Sequence, residues 1–124
     1  EPAFNTFIVY QSPANAPVFI FKIKNFSASY AALLEWETGS GGQRNTLWQD
    51  LKPFIDMQNI NAASIYKKTF EDDLIKNNDA RTFKTPTGRL LVEYALFSKK
   101  LFILSTSRDA IELVLGRLIA LPPQ

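Results

Sequence analysis

Hydrophobic residues recur with two different periods along this chain, and the period separates strands from helices. Residues 4–10 (FNTFIVY) alternate, with Phe4, Thr6, Ile8 and Tyr10 on one side. Residues 18–24 (VFIFKIK) alternate more clearly: Phe19, Phe21 and Ile23 face one way, Ile20, Lys22 and Lys24 the other. The two strands are expected to pair antiparallel across a loop carrying Pro13 and Pro17. Ser27 then reads as an N-cap, followed at helical spacing by Tyr30, Leu33, Leu34 and Glu37. Residues 38–45 (TGSGGQRN) read as a flexible linker, and Gly39 to Gly42 has the composition of either a native loop or an engineered one. Residues 46–56 predict a second, shorter helix with Leu47, Leu51, Phe54 and Ile55 inward and Pro53 ending or kinking it. Residues 57–64 are polar, Asn-rich and read as loop.

The second half is richer in strands. Residues 65–84 fit helix or strand, and the reading adopted is a strand over 70–76, a turn at Asn77-Asn78 and a strand over 80–84. Thr85-Pro86-Thr87-Gly88 is a hairpin turn, because proline presets φ and glycine accepts a positive one. Residues 90–97 (LLVEYALF) and 101–105 (LFILS) are strands joined by a tight turn at Ser98-Lys99-Lys100. Thr106 to Asp109 reads as a capping box for a last helix, whose apolar stripe is Ile111, Val114, Leu115 and Leu118 and which Pro122-Pro123 stops.

These elements predict one α+β domain over residues 1–124, with a mostly antiparallel five- or six-stranded sheet and two or three helices packed on one face. Strand, short loop, cap and apolar helix occur twice, at residues 18–36 and 101–118, which suggests an internal ββα-type pseudo-repeat. With helices on one face only, the other face needs a cover. Leu91, Ala95 and Phe97 alternate with Leu90, Val92, Tyr94 and Leu96, so that strand is apolar on both sides. The expectation is a partner-facing sheet surface at Leu91, Ala95 and Phe97, covered by a protein partner or by a missing segment of the same protein. The sequence does not set the oligomeric state.

The 124 residues are 46% hydrophobic with ten Phe, enough for one core without disulfides or metal. Cysteine and histidine are both absent, which removes thiol nucleophiles, the commonest general base and the usual soft metal ligands. Fourteen basic residues face 12 acidic ones and are scattered along the sequence, so no nucleic-acid partner is expected. No apolar run approaches the ~18–20 residues that span a bilayer, so no membrane insertion is expected of this chain. It begins at Glu1 rather than Met and is read as a piece of a longer protein.

No catalytic residue, cofactor or metal site is assigned. Glu35 and Glu37 flank Trp36, and Glu71-Asp72-Asp73 is an acidic run, but neighbours on one helix point apart and the run reads as a polar turn. Asp72, Asp73, Asn77, Asn78 and Asp79 supply oxygens without the spacing of a calcium loop. Ser98-Lys99 is a dyad on paper only, and Gly39 to Gly42 lacks the Lys-Ser/Thr ending of a phosphate loop. Phe19, Phe21, Lys22 and Lys24 resemble an RNA-binding strand, without the glycines of that signature, and read as core. Asn25-Phe26-Ser27 is a formal glycosylation sequon at a strand exit.

Three stretches carry a resemblance: Leu34-Glu35-Trp36-Glu37, Ile75-Lys76-Asn77-Asn78-Asp79-Ala80-Arg81, and the closing unit over 101–118. Over roughly residues 18–119 the chain resembles the C-terminal extracytoplasmic domain of an uncharacterised membrane-anchored protein family of candidate-phylum (Patescibacteria-type) bacteria. The Gly-Ser linker directly after Glu37 departs from that pattern. The resemblance implies a location outside the cytoplasmic membrane, tethered by an N-terminal segment absent here, and it transfers no catalytic residue. The function expected is a non-catalytic interaction or structural module of the bacterial cell envelope, with a small-ligand-binding domain as the alternative and a carboxylate-only enzyme behind it.

Overall fold

A computed structural model describes residues 4–11, 16–39, 45–65 and 68–120, with the side chains of 4–11 and of Ala62 outside that description. Six strands form one sheet in the order β1-β2-β6-β5-β4-β3: β1 (Phe4–Gln11), β2 (Pro17–Ile23), β3 (Glu71–Ile75), β4 (Asn78–Lys84), β5 (Leu90–Phe97) and β6 (Leu101–Ser105). Every neighbouring pair is antiparallel. The α+β class with an antiparallel sheet is therefore observed. The helices are α1 (Phe26–Thr38), α2 (Leu47–Leu51), α3 (Ala62–Ile65) and α4 (Arg108–Ala120), with one 3-10 turn at Lys52–Phe54.

The expectation of helices on one face is corrected. Phe102 and Leu104 of β6 pack with Leu33 of α1 and with Leu47, Trp48 and Leu51 of α2, whereas Ile103 between them packs with Ala110, Ile111, Val114 and Leu115 of α4. Successive strand residues point to opposite faces, so α1 and α2 cover one face and α4 covers the other. The physical reason lies in β5 and β6, which are apolar on both sides and need two covers. The two strand–helix units are consequently not a symmetric repeat. An antiparallel pair such as β2 and β6 is exchanged only by a two-fold axis normal to the sheet, and that axis would leave both helices on one face.

Several boundaries move for identifiable reasons. The N-cap of α1 is Asn25, not Ser27: its backbone is extended (φ −133°) and its Oδ1 accepts from the Ala28 N–H at 2.9 Å. Replacing Asn25 with Ala is expected to cost about 1 kcal/mol in a urea titration, the usual value of a cap. Gly39 ends α1 in the left-handed region (φ 75°), donating its N–H to the Glu35 carbonyl, a conformation that suits glycine. Gly39 thus has a folding role, whereas residues 40–44 of the expected linker lie outside the described residues. Helix α2 opens with a capping box between Thr46 and Gln49 and gives way at Leu51 to the 3-10 turn carrying Pro53. Part of the expected loop at 57–64 enters α3. The β3–β4 turn is Lys76-Asn77, both at positive φ (49° and 66°), so β4 starts at Asn78. The last helix is capped by Ser107, whose Oγ accepts from the Ala110 N–H at 3.2 Å.

Candidate functional site

Arg81 is the centre of the better-formed site. It lies on β4, on the face covered by α1, and its register partner across the sheet edge is Asp72. Glu37, in the last turn of α1, takes both oxygens to the guanidinium: Arg81 Nε donates to Oε2 at 2.9 Å and Nη2 to Oε1 at 2.7 Å. Nη1 donates to Asp72 Oδ1 at 2.8 Å. From β5, the fully buried Tyr94 donates its hydroxyl to Glu37 Oε2 at 2.5 Å. A carboxylate this deeply buried is tolerable only with a bidentate cation and further donors, and Glu37 has both. The Glu37 bonds hold the Arg81 proton more firmly than usual. Burial and the adjacent Glu37 push the Tyr94 phenol above its ordinary range.

Clefts open on both sides of Arg81. One, of about 580 Å³, is lined by Tyr30, Leu74 and Leu96 with Asp72 and Asp79 at its rim. Leu74 is 59% exposed there. The other, of about 310 Å³, has aromatic walls from Trp48, Phe70 and Phe83, with Thr46, Gln49 and Lys68 around it. Trp48 stacks on Phe83 with ring centroids 6.0 Å apart, and Phe83 meets Phe70 at 5.0 Å. Between the 57–64 segment and the β4–β5 turn there is a third cleft of about 280 Å³, lined by polar groups such as Asn59, Asn61, Thr85 and Arg89. Met57 and Ile60 of that segment pack on the core.

On the opposite face lies a second polar cluster, beneath the start of α4. Glu93, in the middle of β5, is 0% exposed. Thr82 Oγ1 is within hydrogen-bonding reach of both Glu93 Oε2 and Asp73 Oδ2. The Asp73 and Glu93 carboxyls therefore meet at one hydroxyl, and each biases the other's protonation. Glu93 Oε1 is buried with no hydrogen-bond partner. Arg108 Nη1 lies 2.8 Å from Asp73 Oδ2 and 3.9 Å from Glu93 Oε2, Nε bonds Glu112 at 3.1 Å, and Nη2 donates to the Leu74 carbonyl at 3.0 Å. Asp73 Oδ1 accepts from the Leu74 N–H at 2.8 Å. Burial first, and then the Asp73 neighbour, push the Glu93 carboxyl up to about 7, against bonds from Thr82 and the pull of Arg108. Burial also opposes the ionised Asp73, but its bonds from Leu74, Glu93 and Thr82 and the Arg108 charge together hold it below the ordinary carboxylate range.

The sequence-predicted surface is not where it was placed. Leu91 is 1% exposed and Ala95 0%. A bulge pairs Phe83 with Val92 and Lys84 with Leu90, and the extra residue turns Leu91 onto the α1–α2 side beside Val92. Ala95 and the half-buried Phe97 sit under α4 with Ile103 and Leu118. The expectation of an open face is thus overturned at Ala95 and Phe97 by the chain's own last helix, and at Leu91 by burial on the α1–α2 side. Of the acidic positions, Glu35 is exposed, Glu37 buried, and Asp72 and Asp73 point to opposite faces, so the run Glu71-Asp72-Asp73 is an edge strand rather than a turn. Ser98 and Lys99 form a turn at positive φ, with Lys99 Nζ 5.2 Å above the Phe26 ring. Among the described residues no three carboxylates converge to hold a metal ion.

Sequence reasoning missed Arg81, Tyr94, Thr82, Glu93 and Arg108. One signal was available: Glu93 is the single charge in an eight-residue apolar strand, and a charge at that position must be paired or neutral. Fold and site together define an α+β protein whose sheet carries one ionic cluster on each face, each built on one buried carboxyl. Compared with known protein families, with curated proteins and with solved structures, the chain matches none of them.

Proposed function

We propose that the chain is a non-catalytic interaction or structural module of the bacterial cell envelope, part of a membrane-anchored parent protein. One observation carries the non-catalytic part. The carboxylates that come together, Glu37, Asp72, Asp73 and Glu93, are engaged by a guanidinium, a phenol or a hydroxyl of this same chain. A general acid or nucleophile needs its reacting oxygen turned toward a substrate, and in Glu37, Asp73 and Glu93 these bonds hold the groups as fasteners against the sheet, with Asp72 the exposed member. What remains open to a partner is the groove of Tyr30, Leu74 and Leu96 beside the sheet edge. The envelope part is supported by the resemblance over residues 18–119. No helix among the described residues is long and apolar enough to cross a membrane.

The purified domain is expected to turn over no ester, glycoside or peptide substrate, and the natural full-length protein is expected in the membrane fraction of its source cells. A reproducible activity abolished by one point change overturns the first statement, and recovery from soluble cytoplasm overturns the second. Replacing Leu74 with Asp, a change at an exposed position, should leave the melting temperature within about 2 °C and abolish cross-linking to the partner.

A second reading, a small-ligand-binding domain, is favoured by the aromatic cleft of Trp48, Phe70 and Phe83, where apolar walls meet the Glu37–Arg81 pair. Quenching of Trp48 fluorescence in a Trp36→Phe background by a planar carboxylate library tests it. No quenching across the library removes it.

A further inference from the structure

We infer that the end of the sheet formed by the β3–β4 and β5–β6 turns docks on an anionic lipid bilayer surface. Basic residues far apart in the sequence meet there. The register Lys22↔Leu101 and the bond from the Ile23 N–H to the Lys100 carbonyl (2.8 Å) bring the exit of β2, with Lys22 and Lys24, beside Lys99 and Lys100. The register Ala80↔Ala95 puts the Lys76-Asn77 turn at the same end. The Lys76 side chain lies against Gly116 of α4, which adds Arg117 from that helix's last turn. These six side chains, all exposed, are drawn from the 14 Lys and Arg of the chain, whose formal charge is only +2. Asp79, beside Leu74 on β4, is an acidic residue at this end.

The shape and the apolar content decide between kinds of polyanion. From β2 to β3 the basic row crosses four strand spacings, roughly 20 Å at ~4.8 Å each, and it is carried on turn tips, which suits a flat surface. Ile119, 52% exposed in the last turn of α4, adds an aliphatic side chain at this end of the sheet, the combination of charge and apolar contact that interfacial lipid binding uses. Single-stranded nucleic acid requires open aromatic faces for stacking. The rings at this end are engaged: Phe26 lies under Lys99 and against Tyr30 at 5.8 Å, and Phe21 packs on Phe102 at 5.2 Å. The α1 N-terminus also emerges here with no acidic residue in its first turn, so its dipole adds positive potential. This surface adjoins the Tyr30–Leu74–Leu96 groove at Asp79 but shares none of the six basic side chains with it, so it is tested independently of that groove.

The test is co-sedimentation of the protein with vesicles of phosphatidylcholine and phosphatidylglycerol in equal parts, against vesicles of phosphatidylcholine alone. Binding is expected to the first only, and to fall steeply with salt. The double variant Lys99→Gln, Lys100→Gln should weaken it about twenty-five-fold, taking the ~1 kcal/mol per surface-facing lysine as about fivefold each. Lys22→Gln with Lys24→Gln, away from the strained turn, should act similarly. The control Lys52→Gln with Lys84→Gln removes the same net charge elsewhere and should bind as the parent does. Ile119→Ser should weaken binding several-fold at unchanged charge. The inference is overturned by absence of binding to the anionic vesicles, by either turn or strand-exit variant binding unchanged, or by the control losing as much as they do. Tighter binding to single-stranded DNA than to the vesicles overturns it in favour of a nucleic-acid surface.

Discussion

Replacing Glu37 with Ala is expected to lower folding stability by about 3–5 kcal/mol, the usual cost of removing one partner from a buried ion pair. The variant strands two groups at once. Arg81 keeps only the exposed Asp72, and the buried Tyr94 hydroxyl loses its acceptor. The mechanical consequence is that the last turn of α1 loses its tie to β4 and β5, the central and flanking strands beneath it. Glu37→Gln retains an acceptor for Tyr94 and should cost less, and Tyr94→Phe, which removes one hydrogen bond and leaves Glu37 paired, should cost about 1–2 kcal/mol. Urea titration of the three variants checks the order. A loss under about 1 kcal/mol for the alanine variant would show that Glu37 is not the anchor of α1.

The second effect depends on pH and has the opposite sign. Glu93 binds its proton more tightly folded, at about 7, than unfolded, at the ordinary 4.5. Below 4.5 both states hold the proton and the group contributes nothing. Between 4.5 and 7 the unfolded chain releases the proton while the folded one keeps it, so stability falls as pH rises. Above about 7 both are ionised and the full penalty, on the order of 3 kcal/mol, is present. Asp73 runs the other way: its depressed folded value contributes stability above the ordinary 3.8 that is lost on further acidification. Glu93→Gln keeps a neutral side chain with one acceptor for Thr82 and one donor for Asp73 at every pH. It is expected to match the parent near pH 4.5 and to exceed its stability by about 3 kcal/mol at pH 8.5. Equal stability of the two proteins across that range would mean that Glu93 is ionised in the fold like any surface carboxylate.

Most strands were legible in the sequence because alternation is a local signal. Residues 18–24 place Phe19, Phe21 and Ile23 on one face and Val18 and Ile20 on the other, as the period demands. The helical stripe of Ile111, Val114, Leu115 and Leu118 was equally plain. The side of the sheet on which α4 lands was not, since it is set by the two-sided burial of β5 and β6 acting together. The bulge that rotates Leu91 was hidden for a related reason: one extra residue shifts the alternation, and a strand apolar at every neighbouring position gives no mark of the shift. Glu37 and Arg81 are 44 residues apart, and Asp73 and Arg108 are 35 apart. No spacing rule connects such pairs, because only the fold brings them together. The composition gave the classes of chemistry that need histidine or cysteine as excluded. It was silent on two carboxyls gathered at one threonine hydroxyl.

Strand β3 lies at the margin of the sheet, where an unpaired backbone would be a template for another chain. At Leu74 both backbone groups are already occupied, the N–H by Asp73 and the carbonyl by Arg108. An incoming strand would have to displace a guanidinium held at the same time by Asp73 and Glu112, and to do so beside the negative side chains of Glu71 and Asp72. Charged and occupied margins of this kind resist edge-to-edge aggregation. The acidic run that reads in sequence as solvent-loving filler is therefore a stopper: it ends the sheet at six strands and keeps copies of the domain from polymerising through this side.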